Sequence, residues 1–204
     1  MRFSQTWFED GPKIFWDAVL PERDAKSYLE VGSFEGASAC WIIQHVPQIE
    51  QLVCIDTWDG SRDHAESGVN MSEVEARFED NITEAGQLID RDVGVVKLKQ
   101  KSKDALVHLL HEGYSESFDI IYIDGSHSAK DVLMDLILGF ELLNYRGLMI
   151  IDDYLWMPSN SETQNKTFNP LETPKLAIDA FTTIYRDSLK FIDCSWSQVM
   201  FEKR

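Results

Sequence analysis

The sequence is short of cationic side chains, and this shortage argues against one class of partner. Lysine and arginine together number 19, against 35 aspartates and glutamates, so the formal net charge is −16 at pH 7. A field of that sign repels phosphate backbones, so we expect no nucleic-acid partner. The same field tolerates cationic ligands and metal ions, although many acidic surfaces only keep a protein soluble.

Paired cysteines and long apolar runs are lacking as well. The three cysteines, Cys40, Cys54 and Cys194, lie far apart and form no C-x-x-C pair, which argues for reduced core thiols. No apolar run approaches the ~20 residues that span a bilayer, so no membrane partner is expected. The first residues lack the basic and apolar regions of a signal peptide. We therefore expect a cytoplasmic protein.

Short apolar runs alternate with helical patterns along most of the chain. The runs lie at 27–31, 51–55, 93–98, 118–123 and 148–152. They are apolar throughout, as is typical of parallel strands that are covered on both faces. The pattern predicts an α/β fold in one domain, 1–204, with a doubly wound, mostly parallel sheet and helices on both faces. Ser72 with Glu75, and Ser128 with Asp131, are candidate cap pairs for two of the helices.

The two ends of the chain differ from this alternation. Residues 1–26 are predicted to form a helical segment, and the polar stretch 154–173 is predicted to be an active-site loop. A helix over 174–186 follows, with proline in its first turn. Two strand-like runs, 189–195 and 197–203, leave no room for a crossover helix, so they should form an antiparallel hairpin.

The first apolar run opens into a glycine-containing turn. Its pattern, E-x-G-x-x-x-G, places Glu30, Gly32 and Gly36 around the turn, with Ser33 and Ser38 beside them. The third glycine of the G-x-G-x-x-G dinucleotide motif is missing. This absence favours a ligand without a pyrophosphate, and the alternative is a plain glycine-containing β–α turn.

Residues after the second and third runs fit a nucleoside. Asp56 ends the second run 20 residues after Gly36, where an acidic residue accepts hydrogen bonds from ribose hydroxyls. Thr57 and Trp58 follow and could cover an adenine face. Ser102, after the third run, is a helix N-cap or a contact to the base edge. The alternative for Asp56 is a carboxylate that only caps a loop.

Acidic residues end the fourth and fifth runs. Asp124 follows the fourth run, with His127 three residues later, and Asp152 and Asp153 end the fifth. Adjacent parallel strands would bring the three carboxylates to one edge, where a hard cation such as Mg²⁺ would relieve their repulsion. His127 is then the best general base on offer. The alternatives are separate loop-capping aspartates and a surface histidine.

Together these motifs resemble the class I S-adenosylmethionine-dependent methyltransferases. The stretches that carry the resemblance are LEVGSFEGAS, CIDTWDGS, FDIIYIDGSH and MIIDDY. They are most similar to the small metal-dependent O-methyltransferases that include catechol, caffeoyl-CoA and macrolide-sugar enzymes. The resemblance implies a Rossmann-like sheet of seven strands with the last antiparallel. It also implies that the turn Glu30–Gly36 holds the methionine moiety, Asp56 the ribose and Ser102 the adenine edge.

The resemblance extends to the chemistry. It places Asp124, Asp152 and Asp153 on the positions of metal ligands, expected here to bind Mg²⁺, with Asp124 also next to the donor. It makes His127 the residue that deprotonates the acceptor. The expected reaction is metal-assisted O-methylation of a small hydroxylated metabolite, a sugar or a catechol-like phenol, by a chain that could form a homodimer. Three alternatives stay open: a metal-independent N- or C-methyltransferase, a non-catalytic S-adenosylmethionine-binding protein, and a nicotinamide dehydrogenase.

Overall fold

The computed structural model describes residues 1–60, 69–157, 169–195 and 197–204. The seven strands form one mixed, mostly parallel sheet. This sheet confirms the predicted doubly wound, Rossmann-like architecture. The chain divides into two compact units, Met1–Lys101 and Ser102–Arg204. That the whole chain is one domain stays a prediction.

The first unit contains three parallel strands. Its elements are α1 (Pro12–Val19), β1 (Ser27–Val31), α2 (Ala37–His45), β2 (Gln51–Asp56), a 3-10 turn (Met71–Glu73), α3 (Val74–Gln87) and β3 (Gly94–Lys99). Val31 pairs with Ile55, and Asp56 pairs with Lys99. All five residues of β1 are buried. This strand is therefore covered on both faces, as its unbroken apolar character predicts.

The second unit contains the antiparallel part of the sheet. Its elements are α4 (Ser102–His111), β4 (Phe118–Ile123), α5 (Ala129–Leu142), β5 (Leu143–Ile151), a 3-10 turn (Pro170–Glu172), α6 (Lys175–Ile184), a 3-10 turn (Arg186–Ser188), β6 (Leu189–Ser195) and β7 (Gln198–Lys203). β4 and β5 are parallel, whereas β7 runs antiparallel to both β5 and β6. The predicted hairpin is confirmed. No helix in the part of the chain described above is long and apolar enough to cross a bilayer.

Several predicted boundaries are wrong. β5 begins at Leu143 rather than at 148, because it continues directly from the end of α5. Within 1–26 the α-helix covers only Pro12–Val19. Of the predicted loop 154–173, residues 158–168 lie outside the described residues.

Of the two predicted cap pairs, the first is wrong and the second is right only in the position of Ser128. Asn70, not Ser72, caps the turn before α3, since its side-chain oxygen accepts the Ser72 backbone N–H at 3.2 Å. Glu75 instead makes charge-assisted contacts with Lys97 and Lys99 on β3. Glu75 could not keep these contacts if its side chain turned back to cap the helix. Ser128 occupies the N-cap position of α5, but its side chain makes no capping hydrogen bond.

Asp135, on α5, is a buried carboxyl group. Only 1% of it is exposed. Burial raises its pKa to about 7, and the charge of Asp131 adds to that rise, whereas the hydroxyl of Ser102 lowers the pKa. Ser102 is the first residue of α4, which agrees with its predicted place at a helix start. An ionised Asp135 therefore destabilises the folded protein.

The substitution Asp135→Asn is expected to stabilise the protein more at about pH 8 than at about pH 5. The folded-state pKa lies above the ordinary value of 3.8. The wild type therefore loses stability as the pH rises between these two values, and the variant does not. Measured by urea unfolding, the variant's gain in free energy of unfolding over the wild type should be larger at pH 8 than at pH 5 by on the order of 2 kcal/mol. Asp187→Asn, at a side chain that is 93% exposed, is the control. An equal gain at both pH values would contradict the burial argument.

Candidate functional site

The turn that follows β1 has the backbone shape that its glycines predict. Gly32 and Gly36 have φ values of 91° and 80°, in the left-handed region. The Gly32 N–H donates to the carbonyl oxygen of Ile55 at 2.8 Å, which ties the turn to β2. A Cβ atom on Gly36 would lie 3.0 Å from Cδ2 of Phe78. Glycine at 36 is therefore required both by conformation and by space.

Glu30 and Ser38, which were predicted to bind the donor, hold the ends of this turn together. Glu30 is fully buried, and its Oε2 accepts hydrogen bonds from the hydroxyls of Tyr28 at 2.7 Å and Ser38 at 2.8 Å. Burial raises the pKa of Glu30, and the hydroxyl donors only partly offset that rise. Ser33, between the two glycines, is also buried. Because Glu30 lies on β1 and Ser38 on α2, their hydrogen bond fixes the strand relative to the helix.

Asp56, at the end of β2, accepts hydrogen bonds from two backbone amides. Its Oδ2 accepts the N–H of Phe34 at 2.8 Å, and its Oδ1 accepts the N–H of Trp58 at 2.8 Å. Each carboxylate oxygen has a second lone pair, so the side chain retains capacity for ribose hydroxyls. Thr57 beside it accepts the N–H of Asp59 at 3.3 Å through its hydroxyl. The ribose role of Asp56 stays a prediction, and its geometry suits that role.

Trp58 lies buried rather than open to a ligand. Only 4% of it is exposed. Its ring centroid lies 5.0 Å from that of Phe78, and the Lys97 ammonium lies 4.8 Å from the ring centroid. Its indole N–H donates to the carbonyl oxygen of Phe34 at 2.8 Å. A ring with these contacts has little surface left to cover an adenine, so the predicted adenine role of Trp58 does not fit this placement.

In the second unit, the register of β4 and β5 places the candidate site residues Asp124 and Asp152 side by side. Ile123 pairs with Ile151, so Asp124 and Asp152 follow paired residues on β4 and β5. The Tyr122 hydroxyl lies 2.9 Å from Asp124 Oδ2 and also contacts Asp152 Oδ2. A phenol carries one proton and donates it to one carboxylate at a time. The second contact is a hydrogen bond only when a carboxyl group supplies the proton.

Asp152 is the carboxyl group that suits this proton. Its pKa is raised to about 6, chiefly by burial and also by the charge of Asp153. Hydrogen bonds from Tyr122 and from Gln198, whose amide nitrogen lies 2.8 Å from Oδ2, oppose the rise. Part of the Asp152 population therefore carries a proton near neutral pH.

His127 pairs with the other aspartate of the fifth strand end. Its Nε2 lies 2.8 Å from Oδ2 of Asp153. The indole of Trp156 lies against the imidazole, with ring centroids 3.9 Å apart. Asp153 has φ 58°, a left-handed conformation that is uncommon outside glycine and is often found at functional sites. The aspartate and the tryptophan thus orient the predicted base.

The predicted residues of the second unit line one cleft. Asp124, His127, Asp152 and Asp153 share its wall with apolar side chains that include Val132. Its empty volume is about 210 Å³, including open solvent at its mouth. A few convergent polar groups among apolar ones are typical of a small-molecule site, although this volume is smaller than the roughly 300–1,000 Å³ of a usual ligand pocket.

The arrangement of the same carboxylates bears on the predicted metal site. Within the described ranges, no group of three or more His, Cys, Asp or Glu side chains is arranged to hold a metal ion. Tyr122 and Gln198 contact Oδ2 of Asp152, and His127 contacts Oδ2 of Asp153. The assignment of Asp124, Asp152 and Asp153 as Mg²⁺ ligands therefore stays a prediction.

The sequence prediction missed several residues of these two sites. Tyr122 could have been found, because it precedes Asp124 by two positions and side chains two apart share a strand face. Gln198 could not, since only the pairing of β5 with β7 brings it to Asp152. The sequence did not indicate the roles of Phe34 and Phe78 either, because these roles depend on contacts between distant parts of the chain.

The chain matches known proteins along most of its length. A family model described as a methyltransferase domain matches residues 29–154. An uncharacterized protein of Acanthamoeba polyphaga mimivirus, R132, is 26% identical over 166 residues, which are 80% of this chain and 68% of that protein.

Solved structures of other proteins share the fold. An O-methyltransferase from Bacillus cereus in complex with SAH is 20% identical, with a TM-score of 0.61 over 93% of this chain and 79% of that one. TomG, an O-methyltransferase from Streptomyces achromogenes involved in tomaymycin synthesis and solved with SAM, is 17% identical, with a TM-score of 0.61 over 93% and 77%. A putative caffeoyl-CoA O-methyltransferase from Staphylococcus aureus is 12% identical, with a TM-score of 0.62 over 100% and 86%.

The glycine turn can be tested with two matched substitutions. Gly36→Ala should destabilise the protein by about 2 kcal/mol or more, because alanine is strained at this φ and its methyl group meets Phe78. A methyl group on Gly86, in α3, meets nothing within 4 Å, so Gly86→Ala should be neutral or stabilising by up to about 1 kcal/mol. Urea unfolding measures both. Equal effects of the two substitutions would show that the turn does not depend on glycine at 36.

Proposed function

Because the chain belongs to the methyltransferase-domain family, we propose that it transfers a methyl group from S-adenosylmethionine to a hydroxyl oxygen of a small metabolite. The acceptor is a sugar or a catechol-like phenol rather than a nucleic acid. The observation that carries the choice of oxygen is the His127–Asp153 pair on an open cleft, because a hydroxyl must lose its proton to become a good nucleophile.

Residues of the first unit support the donor half of the proposal. The turn from Gly32 to Gly36 gives a tight backbone against which the methionine part of the donor can lie. Asp56 keeps acceptor capacity for the two ribose hydroxyls. The B. cereus and S. achromogenes structures contain SAH and SAM, respectively, which agrees with this choice of donor.

Residues of the second unit support the acceptor half. The imidazole of His127 donates its Nε2–H to Asp153 and takes the proton of the acceptor hydroxyl at its buried Nδ1, and Asp153 stabilises the imidazolium that forms. The oxygen then attacks the methyl carbon of the sulfonium. The new C–O bond forms as the C–S bond breaks, which leaves S-adenosylhomocysteine, the methyl ether and a proton on His127. Placing the two reactants in line contributes several kcal/mol, up to roughly 7–11.

The charge and contacts of the cleft indicate what kind of acceptor it takes. Asp124 and Asp152 line the cleft and give it an acidic wall, and the Tyr122 hydroxyl contacts Oδ2 of each. Such groups suit an acceptor with more than one hydroxyl, because a second hydroxyl donates to a carboxylate while the first is deprotonated. Sugars and catechols both have neighbouring hydroxyls.

The general-base role can be tested by kinetics. His127→Ala should lower kcat by about 10²–10⁴-fold, since that is the usual contribution of a positioned base. The KM for S-adenosylmethionine should change little, because the substitution leaves the donor turn intact. The matched control is His108→Ala, an exposed histidine on α4. Formation of S-adenosylhomocysteine with a panel of sugars and catechols is the measurement. Donor binding without turnover of any acceptor would favour a non-catalytic binding protein.

A chelator tests the predicted magnesium. The contacts of Tyr122, Gln198 and His127 to the carboxylates predict that turnover survives an excess of EDTA. Turnover that is lost in EDTA and restored by Mg²⁺ would show that the carboxylates rearrange around a metal. That result would restore the metal-assisted mechanism that the sequence suggested. Methylation of nitrogen or carbon but not of oxygen would contradict the proposed reaction itself.

A further inference from the structure

We propose that Trp58 is a positioning residue for the methyl donor and acts through the backbone of Phe34. This inference rests on the proposed function, since it assumes that the turn 32–36 binds the donor. It replaces the adenine contact that the sequence suggested for Trp58, and it gives a role to a side chain that the reaction itself does not use.

The first support is a closed set of hydrogen bonds between Phe34, Asp56 and Trp58. The N–H of Phe34 donates to Asp56, and its carbonyl oxygen accepts the Trp58 indole N–H. The backbone N–H of Trp58 donates to the other oxygen of Asp56. Both polar backbone groups of Phe34 are thus engaged by residues at the end of β2, although 22 and 24 positions separate them in sequence.

The second support is backbone strain. Phe34 has φ 46° and Trp58 has φ 53°. The left-handed region is costly for bulky side chains, and such residues keep it only where the surrounding contacts hold them there. Two strained aromatic residues joined by hydrogen bonds therefore mark a place where one particular backbone shape is required.

The third support is the packing around the indole. Phe78 on α3 contacts the Trp58 ring and also lies against Gly36. Lys97 on β3 lies over the same ring, and it is itself held by two glutamates of α3. Contacts from α3 and β3 thus hold the indole in one position. The hydrogen bond from the indole N–H then holds the backbone of Phe34 in place. Loss of the N–H would loosen the turn while leaving Asp56 and the cleft residues in place.

The test compares two tryptophan-to-phenylalanine substitutions. Trp58→Phe keeps an aromatic ring but removes the hydrogen bond to Phe34. The matched control is Trp41→Phe, because Trp41 is 3% exposed and donates its indole N–H to Asp17 at 3.1 Å, away from the turn. Calorimetry with S-adenosylhomocysteine should show about tenfold weaker binding for Trp58→Phe, equivalent to about 1.4 kcal/mol, and less than about twofold for Trp41→Phe.

Kinetics separate this role from a merely structural one. For Trp58→Phe, the KM for S-adenosylmethionine should rise while kcat at saturating donor stays within about twofold of the wild type. A general loss of folded protein would instead lower the apparent kcat and leave the KM unchanged. Equal S-adenosylhomocysteine affinities for the wild type and Trp58→Phe would overturn the inference.

Two results keep this inference separate from the proposed function. A wild type that does not bind S-adenosylhomocysteine would overturn the donor assignment itself, and the inference with it. If the wild type binds S-adenosylhomocysteine but Trp58→Phe binds it equally tightly, only the role of Trp58 would be overturned. If Trp58→Phe does not fold, hydrogen exchange in the wild type supplies the test: the Trp58 indole N–H, which donates to Phe34, should be protected and should exchange more slowly with S-adenosylhomocysteine. An unprotected Trp58 indole N–H would overturn the inference.

Discussion

The hydrogen bonds of the Asp56 carboxylate to two backbone amides are the interaction on which the first unit depends. One amide belongs to Phe34 in the turn after β1, and the other belongs to Trp58 after β2. Amide donors to a carboxylate are charge-assisted and stronger than neutral pairs. They hold two loops that carry strained aromatic residues. The carboxylate that orders the turn is therefore also the group proposed to bind the ribose, so that binding and order depend on one side chain.

The second unit meets a different constraint, which is the repulsion between carboxylates at neighbouring strand ends. The chain relieves it with protein donors: the Tyr122 hydroxyl between Asp124 and Asp152, the Gln198 amide on Asp152, and the His127 imidazole on Asp153. Burial chiefly raises the pKa of Asp152 to about 6, and the remaining repulsion from Asp153 adds to that rise. This arrangement couples the charge state of the acidic residues to the base that the proposed reaction uses.

The sequence predicted the order and type of the strands well, because buried parallel strands are continuously apolar and end in recognisable turns. β4 was predicted to the residue, and the final hairpin followed from the short connection before Gln198. Local cap signals failed where a distant partner competed: Glu75 binds lysines of β3 instead of closing a capping box. The composition of a segment does not show which strand will later lie beside it.

The candidate site was predictable in its acidic and glycine residues but not in their partners. The sequence indicated Asp56 and His127 as candidates because each comes directly or shortly after a predicted strand. The sequence did not indicate that Trp58 is buried, because its burial depends on Phe78 and Lys97, which lie 20 and 39 positions further along the chain. Tertiary contacts of this kind decide whether an aromatic residue near a strand end binds a ligand or supports the residues that do.

The central claim is that the turn 32–36 and Asp56 hold S-adenosylmethionine. A crystal structure of the chain with S-adenosylhomocysteine tests it most directly. The account predicts both ribose hydroxyls within about 3 Å of the Asp56 carboxylate, with the amide hydrogen bonds from Phe34 and Trp58 retained. Adenosine bound away from Asp56, or bound there only after these amide bonds break, would contradict it.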